Sequence, residues 1–103
     1  MNLLLIILTD NLGGGVLMHP IKQLLLERND YKCMLCGKRY PYEQLNWHHI
    51  KPKWISKRLG LPIDNSYENA ALLCLNCHAL VHTFDYYDKQ YGLLMEQILN
   101  NKK

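Results

Sequence analysis

The sequence predicts a small α+β domain stapled by zinc. Three observations carry that expectation. The 103 residues include four cysteines and five histidines. The cysteines form two C-x-x-C pairs, Cys33/Cys36 and Cys74/Cys77. Short alternating or apolar runs sit between segments of helical periodicity. A chain this short fits one domain and buries a modest fraction of its surface, so a staple is expected. Nothing in it resembles a working secretory signal, which makes a disulfide framework the weaker reading of the cysteines.

Residues 1–17 differ from the rest. Leu3 to Leu8 is an apolar run, followed by Thr9-Asp10-Asn11 and Gly13-Gly14-Gly15. A membrane span needs roughly 20 apolar residues, and a secretory signal wants a basic start that this segment lacks. We expect an atypical extension, with translation beginning at Met18. A purine-rich ribosome-binding sequence read in frame encodes glycines shortly before a true start. The alternative is a short apolar strand or helix docked on the core. A single domain is expected over residues 18–103.

Pro20 suits the first turn of a helix over 20–29, with Leu24, Leu25 and the stem of Lys22 near one side. Asn29-Asp30 ends it in a turn. Tyr31 to Gly37 reads as a tight knuckle, where glycine permits the turn that aims two sulfurs at one point. Residues 45–50 alternate like a half-buried strand, and Pro52 helps to end it. Residues 51–68 are expected as a long loop, marked by Pro52, Gly60, Pro62 and Asp64-Asn65-Ser66; loops of that length tend to be functional. Residues 70–75 supply the second strand of a hairpin. Asn76 is the expected cap of a helix reaching about residue 86, carrying Cys77, His78 and His82. Tyr91, Leu94, Met95, Ile98 and Leu99 signal a final amphipathic helix.

Zinc takes four ligands at tetrahedral angles, and a two-residue gap lets one knuckle supply two of them. The knuckles are 37 residues apart, so the ion would join the start of the domain to its end. Folding would then depend on zinc, whose apparent binding energy in small domains is about 10–16 kcal/mol. Four sulfurs leave no open position, so this is a structural site. On a helix, His78 and His82 project from one face and make half of a second metal site. His48 and His49 are neighbours on a strand and point to opposite faces, so one can ligate while the other does something else. A two-cysteine, two-histidine finger is excluded: Cys33, Cys36 and His49 fit, but Lys53, Trp54 and Ile55 occupy the positions where its last histidine belongs.

The formal charge of +3 is unevenly spread: Lys32 to Arg58 holds seven basic residues and one acid, Glu43. A charge run alone is ordinarily a solvated face. This one brackets the histidine pair and suits a polyanion. Tyr86, Tyr87 and Tyr91 are expected to pack a core; Trp54 has the better claim on nucleic acid.

The ordered set Cys33-x-x-Cys36, Trp47-His48-His49-Ile50-Lys51-Pro52, Glu68-Asn69, Leu73-Cys74-x-x-Cys77-His78 and His82 resembles the HNH endonuclease family. The variant it resembles carries a zinc site made of two C-x-x-C pairs, and the match covers roughly residues 28–84. The resemblance implies the ββα-metal fold, a hairpin crossed by a helix with a divalent ion between them, here with flanking N- and C-terminal helices. It implies that His49 is the general base, that His48, His78 and His82 bind the catalytic ion, and that Asn69 ties down the long loop to hold His49. Ala70 departs from the leucine common after the asparagine, a change that bears on packing more than on chemistry.

Such a site hydrolyses DNA phosphodiesters. The ion (Mg²⁺, Mn²⁺, Ni²⁺ or Zn²⁺) would stabilise the phosphate and departing oxygen. A histidine base, with a reference pKa of about 6.5, typically contributes about 10²–10⁴-fold. Lys51, Lys53, Lys57 and Arg58 are expected to hold flanking phosphates. The implied partner is DNA, double-stranded and with low sequence specificity, because no separate recognition domain fits. Stronger specificity would need a homodimer or a partner. Small members of this family often belong to bacteriophages or mobile elements, some assisting genome packaging beside the terminase. No membrane is implied, and the expected location is the cytoplasm of a bacterial or phage-infected cell. Two other functions compete: a zinc-stapled nucleic-acid-binding module without cleavage, and a purely structural or protein-interaction domain. Only the nuclease requires His48, His49, Asn69, His78 and His82 together.

Overall fold

The computed structural model describes residues 19–103. The expected extension over 1–17 and the start at Met18 lie outside the described residues. The order of elements is α1 (Pro20–Arg28), β1 (Leu45–His49), α2 (Lys53–Arg58), β2 (Ala70–Cys74), α3 (Leu75–Val81) and α4 (Lys89–Asn101). The described residues have the α+β architecture that the patterning predicts, an antiparallel hairpin with helices packed around it.

α1 starts at Pro20, and the His19 imidazole caps it by accepting the Ile21 amide. Leu25 and Leu26 face the core, and the Asn29 side chain donates back to the Leu25 carbonyl, closing the helix. The knuckle follows. Gly37, at φ 79°, makes the turn that a β-carbon would resist, and the Gly37 amide donates to the Cys33 carbonyl at 2.9 Å. The Met34 amide then donates to the Leu72 carbonyl at 2.8 Å, seating the knuckle against β2.

The hairpin register pairs Leu45 with Cys74, Trp47 with Leu72, His48 with Ala71 and His49 with Ala70. All five β2 residues are buried, which explains their unbroken apolar run. On β1 the alternation holds: Asn46 and His48 turn toward α3, while Trp47 and His49 stack on the other face.

The expected 51–68 loop is corrected in part, because it contains α2. Pro52 stands at its N-cap, nothing in 53–58 breaks a helix, and Ile55 and Ser56 are buried. Gly60, at φ 71°, ends it. The expected cap at Asn76 is also corrected. The Cys74 sulfur accepts the Cys77 amide at 3.5 Å, so the knuckle itself caps α3. α3 stops at Val81 rather than near 86. The Thr83 hydroxyl donates to the Leu80 carbonyl at 2.7 Å, and Asp85 accepts the Tyr87 amide at 2.9 Å; both offer the backbone a local alternative to helix.

α4 buries Tyr91, Met95 and Ile98 against the hairpin side of the core, with Leu94 partly covered and Leu99 turned outward. Its far end is tied down: Asn101 donates to the Met34 carbonyl and the Lys103 amide to the Asn29 side chain, each at 2.9 Å. Among the described residues no helix is long and apolar enough to cross a membrane.

Candidate active site

Cys33, Cys36, Cys74 and Cys77 bring their sulfurs within 4.8 Å of one another. Cys36 and Cys74 are 4.0 Å apart, about twice a disulfide bond length. Their donor set and spacing fit a tetrahedral zinc ion. Burial pushes the Cys33 thiol up. It pushes Cys77 up too, helped by the Cys74 and Cys33 sulfurs. Burial also raises Cys36, but the Lys38 amide and the Tyr40 hydroxyl outweigh it and hold that thiol at about 7. A cation in the cluster would relieve the crowding of four sulfurs.

The second cluster is His48, His78 and His82, whose ligand nitrogens also lie within 4.8 Å of one another. β1 supplies the first, α3 the second and the α3 C-cap the third. The Nε2 atoms of His78 and His82 are 2.9 Å apart. Burial, reinforced by the neighbouring imidazoles, holds the His48 pKa down to about 3. His78 is lowered for the same reasons, burial first and His82 second. Neutral imidazoles converging on one point are the state a metal needs.

Two residues orient this cluster. His48 Nε2 is 2.8 Å from the Tyr91 hydroxyl, which donates to the Ile50 carbonyl. Its single proton thus spent, the hydroxyl accepts from His48, and Nδ1 keeps a free lone pair. The Asn46 amide lies 3.0 Å from His78 Nδ1 and turns Nε2 toward His82. The atom facing the ring is Nδ2, which only donates, so Nδ1 accepts and the ring proton sits on Nε2; the turned-over amide would present Oδ1 and leave Nε2 free for a metal.

His49 sits beside these groups in a cleft of about 400 Å³. Its ring stacks on Trp47 at 4.7 Å, and Trp47 also meets the His19 ring, tilted, at 4.2 Å. His49 Nε2 is 2.8 Å from Asn65 Oδ1. A carbonyl oxygen only accepts, so Nε2 carries the proton and Nδ1 is left able to take one.

Asn69 is buried behind the cleft. Its Oδ1 accepts the Lys51 amide at 2.8 Å, and its Nδ2 donates to the Lys51 carbonyl at 3.3 Å and the Asp64 carbonyl at 2.9 Å. One side chain therefore joins the two ends of the segment between the strands and fixes the backbone that follows His49.

Of the four basic residues expected at the phosphates, Lys53 and Lys57 line the cleft, whereas Lys51 and Arg58 do not. Trp54 lines it as well. Sequence reasoning missed Tyr91 and Asn65. Tyr91 lies on an apolar stripe, where nothing but its hydroxyl distinguishes it from a core residue. Asn65 reads as an ordinary turn residue in Asp64-Asn65-Ser66.

A model of the HNH endonuclease family matches residues 33–84. That span holds both knuckles, the hairpin and all four histidines of the cleft, and leaves α1 and α4 outside it. No curated protein matches the chain.

Proposed function

Because the chain belongs to the HNH endonuclease family, we propose that it hydrolyses DNA phosphodiester bonds with His49 as general base. The observation that carries this reading is the contact of Asn65 with His49, which lines the cleft together with the three imidazoles. It leaves Nδ1 of His49 free to accept the proton of the attacking water. As the water oxygen bonds to phosphorus, the P–O3′ bond breaks and the departing oxygen takes a proton from solvent.

His48, His78 and His82 would hold a divalent ion, which supplies charge neutralisation at the phosphate and the leaving oxygen. Three neutral imidazoles suit Ni²⁺ or Zn²⁺ best and would hold Mn²⁺ more weakly; Mg²⁺, which prefers oxygen donors, matches this set least. The four cysteines hold a structural zinc. Asn69 positions His49 through the backbone at Lys51. Lys53 and Lys57 face the cleft and take flanking phosphates; Lys51 and Arg58 extend the basic surface beyond it.

We read residues 18–103 as one nuclease domain, because α1 and α4 supply core residues to the matched segment. A domain this small has little surface for reading sequence, so a second copy or a packaging partner in a phage-infected cytoplasm would supply specificity. The test is nicking of supercoiled plasmid with Mg²⁺, Mn²⁺, Ni²⁺ or Zn²⁺, beside His49→Ala. Nicking by the wild type and its loss in His49→Ala are expected. DNA retention without nicking under every metal would replace this reading with the binding module.

A further inference from the structure

We propose that Trp54 is a stacking platform for an unpaired nucleobase beside the imidazole cluster, so that the preferred ligand is single-stranded or locally opened DNA. The proposal rests on the nucleic-acid reading of the cleft, not on cleavage itself.

α2 has a fixed pose. Ile55 and Ser56 are 2% and 0% exposed, and the Leu61 amide donates to the Ser56 carbonyl at 2.9 Å. With that side inward, Lys53, Trp54 and Lys57 project outward, and the i, i+3 and i, i+4 spacings gather them on one side of the helix. Trp54 is 44% exposed although it is the largest side chain type available. Trp47 packs against both His19 and His49; Trp54 pairs with none of the described aromatic residues.

Position decides what the ring can meet. The cleft holding His49, Lys53 and Lys57 adjoins a second of about 300 Å³ bounded by Phe84, Asp85 and Tyr86, and the two share His48, Pro52, Trp54 and His82. Trp54 therefore borders both clefts, beside the imidazoles of His48 and His82. Lys53 and Lys57 line one of these clefts and Asp85 lines the other. That asymmetry suits one phosphate backbone rather than two. An indole flanked by cations is the arrangement that binds single strands, with bases on the ring and phosphates on the lysines. In intact duplex the base faces are stacked away from any side chain, and reaching one means opening the pair.

The test measures binding by the full chain without added divalent ion. The probes are a short oligothymidylate, an abasic strand of equal length, and a duplex containing the same thymidylate run. Stacking of one base predicts that oligothymidylate binds about 5- to 150-fold more tightly than the abasic strand, with quenching of tryptophan fluorescence. Trp54→Ala should abolish that margin and the added quenching, and Trp54→Phe should keep most of it. Lys57→Gln should leave the margin intact while lowering the salt slope by about 0.7. Equal binding of base-bearing and abasic strands by the wild type overturns the proposal, as does an unchanged margin in Trp54→Ala or tighter binding of duplex than of single strand. Plasmid nicking without a base margin removes this proposal and keeps the nuclease. A base margin without nicking does the reverse.

Discussion

The Tyr91 hydroxyl on α4 meets Nε2 of His48 on β1 at 2.8 Å, across 43 residues of chain. The helix that bears Tyr91 lies outside the segment that defines the family, yet it sets the tautomer of a residue in the imidazole cluster. Partners that orient a ligating histidine commonly contribute 10- to 100-fold to metal affinity. Tyr91→Phe keeps the ring and its packing and removes only the hydroxyl. We expect it to weaken Mn²⁺ or Ni²⁺ binding at the histidine site by about tenfold or more. Zinc content at the cysteines should not change. Calorimetric titration beside total metal analysis would show both, and an unaltered affinity would remove Tyr91 from the site.

Asn65 is expected to matter to turnover more than to binding. Its carbonyl oxygen fixes the proton of His49 on Nε2, so Asn65→Ala frees the ring to adopt the tautomer that cannot accept a proton at Nδ1. We expect kcat to fall by about tenfold or more with little change in KM, since general-base catalysis as a whole is worth about 10²–10⁴-fold. Asn65→Asp still accepts from Nε2 and should retain more activity than Asn65→Ala. A loss confined to KM would assign Asn65 to substrate contact instead.

Removing the zinc proposed for the four cysteines should unfold the hairpin region rather than merely abolish nicking. The knuckle is seated on β2 through Met34, and Cys74 both ends that strand and caps α3. Cys74→Ser and strong chelation are each expected to abolish cooperative thermal unfolding. Mild chelation should strip only the histidine site and leave the transition in place. Circular dichroism through a graded chelator titration separates the two steps; one merged step would mean that the sites are not independent.

Much of this site was legible because its chemistry repeats at fixed spacings. Two C-x-x-C pairs and an i, i+4 histidine pair announce convergent ligands, and the alternation over Leu45–His49 correctly separates the faces of His48 and His49. The expected role of Asn69 as a tie across the loop agrees with its bonds to Lys51 and Asp64. What local pattern could not show is contact made across long stretches of chain. Tyr91 has the spacing of a core residue and is one, at 4% exposed; its hydroxyl matters only because α4 crosses above Ile50. α2 was hidden by its shortness, since six residues between two prolines and a glycine give too little periodicity to read. The end of α3 was overrun because a histidine and a threonine do not break a helix by propensity. The threonine competes for the last turn here through its side-chain bond to the Leu80 carbonyl.

His48 should also make stability depend on pH. Its pKa falls from 6.5 to about 3 on folding, chiefly through burial. Above pH 6.5 the ring is neutral in both states and adds no pH dependence. Between 6.5 and about 3 the unfolded chain binds a proton that the folded chain refuses, so stability is lost as the pH falls. The slope from this one group approaches 1.4 kcal/mol per pH unit, and His78, lowered in the same direction, adds to it. Urea unfolding of wild type and His48→Gln from pH 6.5 to 5 isolates the effect, because acid weakening of the cysteine site is common to both proteins. The wild type should lose about 1 kcal/mol per pH unit more than the variant. Parallel slopes would mean that the buried ring takes up its proton within the fold.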